Sequence, residues 1–140
     1  MTFLTRIHSI MNEMFNDSTS SISIIEQAPI DQQPLDVRLL DAITETTTST
    51  AVYVLDKSRL TLVVEASGSA DITVEAMTGQ NTDNMGACGL TDNTLTTAAS
   101  QSISTDGTHV YGIDIASKYV SVKVTRTAGT ATVYITGGAL

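Results

Sequence analysis

Residues Lys118 to Thr136 read KYVSVKVTRTAGTATVYIT. Val120, Val122 and Val124 alternate with Tyr119, Ser121, Lys123 and Thr125, and Ala131, Val133 and Ile135 alternate with Thr132, Tyr134 and Thr136. Successive side chains of a strand point to opposite faces, so this alternation marks two strands with one dry and one wet side each. Thr127-Ala128-Gly129 lies between them, which predicts a hairpin that turns at the glycine. The wet faces carry Thr, Ser and Tyr rather than paired acids or a nucleophile with its base. That surface suits a structural or binding module better than an enzyme.

The same grammar recurs upstream. Leu60, Leu62, Val64 and Ala66 share one face of a strand over Leu60–Ala66, and Ile72, Val74 and Ala76 share one face of a strand over Asp71–Met77. Ser67-Gly68-Ser69-Ala70 between them reads as a second tight turn. Further strands are expected at Ala51–Leu55 and Val110–Ile115. Short, evenly spaced strands with turn signals predict an all-β fold, an antiparallel β-sandwich of jelly-roll-like kind. Thr78 to Gly107 is a long polar insert rich in Gly, Asn, Asp and Thr, with Leu90 and Leu95 as candidate anchors for a strand of its own. Inserts of that length inside a compact domain commonly serve binding or assembly.

The first 40 residues differ in character and divide the chain into an N-terminal helix and arm, residues 1–40, and a sandwich domain, residues 41–140. Phe3, Leu4, Ile7, Ile10, Met11, Met14 and Phe15 recur at helical spacing, which predicts an amphipathic helix over Thr2–Phe15. A helix so short needs a surface to dock on: its own sheet, copies of itself, or a larger assembly. The polar face lacks the Lys and Arg that an anionic membrane surface favours. Pro29 and Pro34 bracket an extended arm that includes the β-like run Ile22–Ile25, and Asp36–Leu40 reads as a strand entering the domain.

Composition narrows function further. The chain has 140 residues, a formal charge of −8 and only seven Lys and Arg, with no basic cluster. Phosphate backbones are held by clustered cations, so nucleic acid is not an expected partner. No stretch approaches the roughly 18 apolar residues of a membrane span, and the opening residues do not read as a signal peptide, so neither membrane nor signal-directed export is expected. Cys88 is the single cysteine. It reads as a small residue packed in the Gly86–Gly89 stretch rather than a nucleophile, for which only His8 and His109 could serve as a base.

Other chemistry is sparse. Asp83, Asp92 and Asp106, with Asn81, Asn84 and Asn93, could supply oxygen ligands to calcium, but turn-forming roles suit them better because their spacing matches no calcium loop. Glu65 and Glu75 would face each other if the Ser67–Ala70 turn closes a hairpin, a carboxylate pair of the glycosidase kind, although both occupy wet strand positions. His109 opens a strand after the Asp106-Gly107 turn. Tyr53, Tyr111, Tyr119 and Tyr134 are candidate sugar-stacking rings. No catalytic residue, cofactor site or metal site is assigned.

The stretches LLDAITETTTSTAVYVLDKSRLTLVVEASGSADITVEA, Leu39–Ala76, and KYVSVKVTRTAGTATVYITGG, Lys118–Gly138, together resemble small virion proteins of tailed bacteriophages in their cadence. The resemblance spans about two-thirds of the chain. It implies a β-sandwich of the kind found in capsid decoration or cement proteins, head fibres and tail accessory proteins, assembled as homo-oligomers, often trimers. The expectation is a virion protein that binds the major capsid protein or other virion proteins and stabilises their seams. Phe3, Ile7, Ile10, Met14, Ile24, Ile25 and Leu35 would be its apolar anchors. The alternatives are a carbohydrate- or receptor-binding fibre module, with a Tyr- or Asp-lined site on the Thr78–Gly107 insert, and a tail or connector ring subunit.

Overall fold

The computed structural model describes residues 33–114 and 116–139. Among them the chain is all-β, with no helix, and forms one ten-stranded antiparallel sheet. The expected helix at Thr2–Phe15 and the run Ile22–Ile25 lie outside the described residues. The strands are β1 (Leu35–Ile43), β2 (Thr47–Thr48), β3 (Val52–Tyr53), β4 (Lys57–Gly79), β5 (Gly86–Cys88), β6 (Leu90–Thr91), β7 (Thr97–Ala98), β8 (Ser100–Ile103), β9 (Gly107–Ile113) and β10 (Tyr119–Ala139).

Two long strands organise everything else. β4 is 23 residues long and β10 is 21, and they pair along their whole length, from Tyr119 opposite Gly79 to Ala139 opposite Lys57. This corrects both expected hairpins. Leu60–Ala66 does not fold back on Asp71–Met77, and Lys118–Arg126 does not fold back on Thr130–Thr136. Each pair of runs is one strand that bends. The two glycine turns instead lie opposite each other as a shared kink, with register shifts between Arg126 and Thr130.

The geometry of the kink explains its residues. Gly68 and Gly129 both have left-handed φ, 76° and 79°, as does Ser69 at 58°. A Cβ on Gly129 would meet Ser67 O at 2.5 Å and the Ala70 Cα at 2.6 Å, so the crossing needs a residue without a side chain. Ser67 and Thr130 hydroxyls bond at 2.7 Å across the bend, and Arg126 Nε donates to Gly129 O at 2.7 Å. Between the Arg126–Ile72 and Ala131–Ala66 pairs β10 takes five steps where β4 takes six, so the dry side of β10 shifts from even positions (Val120, Val122, Val124) to odd ones (Ala131, Val133, Ile135), while β4 keeps Leu62, Val64, Ile72 and Val74 buried. A bulge absorbs that change without exposing the core.

The kink divides the sheet's neighbours. The first half of β4 pairs with β9, and its second half with β8 and β5; β10 takes β3 and β2 on its first half and β1 on its second. Residues of both halves belong to one hydrophobic core with Leu40, Cys88, Leu90, Ile103 and Ile113. β1 confirms the strand expected at Asp36–Leu40 and extends it to Leu35–Ile43, opposite Ile135 and its neighbours. The strand expected at Ala51–Leu55 shortens to Val52–Tyr53, because the Lys57 amide bonds back to Val54 O and starts a turn.

Within the insert, Leu90 is fully buried and begins β6, as expected of an anchor. Leu95 does the opposite. It sits at the tip of the β6–β7 turn with φ 63° and is 86% exposed.

Candidate functional site

Among the described residues β9 is paired with β4 from Gly107 to Gly112, but on its other side β6 covers only Gly112 and Ile113. The uncovered edge opens onto a groove of about 420 Å³, whose walls come from β8, β9 and the β6–β7 turn. It is lined by Asp92, Asn93, Gln101, Ser102, Thr108, His109, Val110 and Tyr111.

The insert is held in shape by polar side chains rather than by a core. Asp92 Oδ1 accepts from the Thr94 amide at 2.9 Å, the Thr94 hydroxyl at 2.7 Å and the Thr96 amide at 3.0 Å, an Asx-type turn that closes the loop. These donors, the Thr94 hydroxyl first, hold its carboxyl below the usual range. Gln101 Nε2 donates to Leu90 O at 2.9 Å and to Thr96 O at 3.4 Å, tying β8 to the same loop. His109 Nε2 lies 2.9 Å from Thr105 O. A carbonyl only accepts, so on a neutral ring Nε2 carries the proton and Nδ1 is left as an acceptor.

Tyr111 contributes a mostly buried ring, 6% exposed. Burial raises its hydroxyl pKa and the Asp92 charge raises it further, which keeps the phenol protonated and able to donate. Val110 is the apolar member of the lining and is 52% exposed.

Asp106 lies outside the groove and serves the kink. Its carboxylate accepts from the Ala70 amide at 2.9 Å and the Ser69 amide at 3.2 Å, groups that the bend of β4 takes out of the ladder. Those bonds, Ala70 first, lower its pKa. The three aspartates considered for calcium are thus apart. Asp92 and Asp106 cap different turns, and the Asp83 amide bonds to Asn81 Oδ1 at 3.1 Å. Among the described residues no three His, Cys, Asp or Glu side chains converge as metal ligands.

The other sequence candidates scatter. Glu65 lies opposite Thr132 and Thr108, and Glu75 opposite Lys123 and Ser100, so the acids do not form a facing pair once β4 runs straight through. Tyr53 and Tyr119 meet edge-to-face at 5.7 Å with Lys118 above Tyr119, while Tyr111 is buried and Tyr134 sits far along β10 opposite Arg38 and Val63. Four tyrosines do not make one platform. His109 lies inside β9 rather than at its start. Cys88 is buried opposite Ala76, and burial raises its thiol pKa. Leu35 is opposite Gly137 and packs half-buried against the core; Phe3, Ile7, Ile10, Met14, Ile24 and Ile25 lie outside the described residues.

A second groove, about 390 Å³, is lined by Thr48, Ser49, Thr50, Ala51, Met77, Thr82, Asp83, Met85 and Ser121. Ser121 donates to Met85 Sδ at 3.7 Å, and the buried Ser49 hydroxyl accepts from the Val122 amide at 2.9 Å. Sequence reasoning placed a site on the insert but missed β8 and β9 as its walls. The signal was there in Ile103, an isolated apolar residue that the core pins fully buried.

No family model matches the chain, and no curated protein matches it. Solved structures do. The SPBc2 prophage-derived protein YomS is similar with a TM-score of 0.63 at 18% identity, over 75% of this chain and 92% of YomS. The PBSX exported protein XepA is similar with a TM-score of 0.61 at 19% identity, over 75% of this chain and 37% of XepA, so the chain spans little more than a third of that protein. At these identities the likeness is one of fold.

Proposed function

We propose that this chain is a non-catalytic structural protein of a phage or prophage, a decoration or cement protein that binds the outer surface of the capsid. The observation that carries the reading is the shared fold with prophage-derived YomS over nearly that protein's whole length; the fold shared with part of XepA, from PBSX, adds to it. The groove's chemistry supports a binding role, because its lining offers one carboxylate and one imidazole among hydroxyls and amides, with no nucleophile–base pair.

In this reading the sheet doubles over at the kink into a jelly-roll-like sandwich. Its support is that Leu62 and Val64 on one side of the bend and Val74 and Val122 on the other have no exposure, although they belong to one core. A strand face that dry needs a second layer over it. The body faces outward as a homotrimer, and the segment ahead of β1, with Phe3, Ile7, Ile10, Met14, Ile24 and Ile25, grips the capsid seams by burying apolar surface.

The test uses gradient-purified particles of the phage that encodes the chain. The chain is expected in them at a stoichiometry matching a lattice position, and the full chain is expected to rebind stripped particles. Residues 34–140, which contain the whole described core, should fold and fail to rebind. Absence from purified particles would refute the reading, as would undiminished rebinding by the shortened chain.

A further inference from the structure

We infer that the groove between the insert and β9 is a binding site for a neutral sugar. The first argument is what its lining leaves unused. Among the described residues, the side chains of Asn93, Ser102 and Thr108 make no hydrogen bond, and neither does the Tyr111 hydroxyl, which is not sealed from solvent. Asp92 takes all its described bonds on Oδ1, so Oδ2 is a free acceptor. Gln101 spends its Nε2 on two carbonyls and keeps Oε1. His109 keeps Nδ1.

That set is a mixture of acceptors and two-way hydroxyl or amide groups. It complements a ligand whose own groups donate and accept alike, which is the property of a ring carrying several hydroxyls. Other ligand classes fit worse. Among the described residues no Lys or Arg lines the groove, and Asp92 would repel an anion such as phosphate. A divalent cation asks for several oxygen ligands, and one carboxylate whose better-placed oxygen already accepts three donors is a poor nucleus for that. A purely apolar ligand would leave all these polar groups without water or partner. The exposed Val110 supplies apolar surface for the C–H face of a pyranose.

The second argument is preorganisation. Gln101 and Ser102 stand on β8 and Thr108 to Tyr111 on β9, both hydrogen-bonded to β4, and the Asp92 turn is fastened by its own donors. A site whose groups are fixed before the ligand arrives loses less entropy on binding. The groove's roughly 420 Å³ lies within the range of small-molecule sites and takes a sugar of one or two rings.

The experiment is a titration of the ¹⁵N-labelled full chain with glucose, galactose, mannose and N-acetylglucosamine and with their disaccharides, followed by amide shifts. At least one probe should give saturable shifts confined to Asp92–Asn93, Gln101–Ser102 and Thr108–Tyr111. Asp92→Asn keeps Oδ1 as the turn acceptor but turns the free oxygen into a donor, and should weaken that binding about tenfold, the worth of one charge-assisted bond. Ser102→Tyr, an exposed strand position, fills the groove and should abolish it while the rest of the spectrum stays unchanged. Shifts centred on Tyr53 and Tyr119, saturation by inorganic phosphate or calcium at the groove, binding undiminished by Ser102→Tyr, or no saturable shift with any sugar would each overturn the inference. Particle attachment is read by a different assay, so either proposal can fail alone.

Discussion

The long strands β4 and β10 and the Thr78–Gly107 insert reach order by opposite means. In the strands, alternating aliphatic residues go dry, and Leu62, Val64, Val74, Val122, Val124, Val133 and Ile135 have no exposure at all. In the insert, few side chains are buried, and the backbone is tied down by Asp92, Gln101 and Asp106. The stability of this fold therefore lies in the strands, and its unused hydrogen-bonding capacity in the insert. Asp92 and Gln101 spend only part of their hydrogen-bonding capacity on the scaffold, and both line the groove.

Two leucines separate these two kinds of order most strongly. Leu62 in β4 is fully buried, and Leu62→Ala should cost about 3 kcal/mol through lost burial and the cavity it leaves. Leu95 at the insert tip is 86% exposed, so Leu95→Ala should stay within about 0.5 kcal/mol of the parent. Urea unfolding followed by circular dichroism reads both. Similar losses in the two variants would mean that the insert shares the core's burden.

Two glycines give the next largest effect. Gly129→Ala must adopt φ 79° and also push Ser67 and Ala70 away from contacts of 2.5 and 2.6 Å, so it should cost about 2–3 kcal/mol. Gly107 has φ 123° with nothing within 4 Å of an added Cβ. Gly107→Ala therefore meets strain without collision and should cost about 1 kcal/mol. Equal costs would show that the crossing of β4 and β10 at the kink yields easily.

These glycines also mark what could be read in advance. The alternation in Leu60–Ala76 and Lys118–Thr136 made strand, dry face and core residues legible, because those depend on neighbours two residues apart. It could not reveal partners. Alternating runs on each side of a glycine look the same whether the chain folds back there or merely bends, and the choice is made by Gly129 meeting Ser67 across more than 60 residues of sequence. The site was legible only as an address. Asp92, Asn93, Gln101 and Ser102 sat in the insert, but Thr108 to Tyr111 come from β9 beyond it, and the role of Asp106 as a latch depends on which amides the kink leaves unpaired. Ser69 and Ala70 supply those amides, and nothing local to Asp106 announces them.

Asp106 therefore carries the finest test of the two kinds of order, through pH. Its folded-state pKa is depressed by bonds from Ala70 and Ser69, as that of Asp92 is by Thr94 and Thr96. A depressed carboxyl binds fewer protons folded than unfolded, so its contribution is fully present above the unfolded value near 3.9 and is lost as pH falls through the folded one. Thermal midpoints should be flat around neutrality and decline below about pH 4. Asp106→Asn keeps an acceptor for one amide but no longer titrates. It should lower the midpoint slightly at pH 7 and make the acid decline shallower, with the same pattern for Asp92→Asn. The two differ in what opens first. Loss of the Asp106 latch frees the bend of β4, so protection of the Ser69 and Ala70 amides from hydrogen exchange should fall, while loss of the Asp92 turn should loosen Thr94 and Thr96 and leave the kink protected. If acid exposes both pairs of amides together in the parent chain, the insert and the strands open as one cooperative unit, and the division between a dry frame and a polar scaffold holds for structure but not for stability.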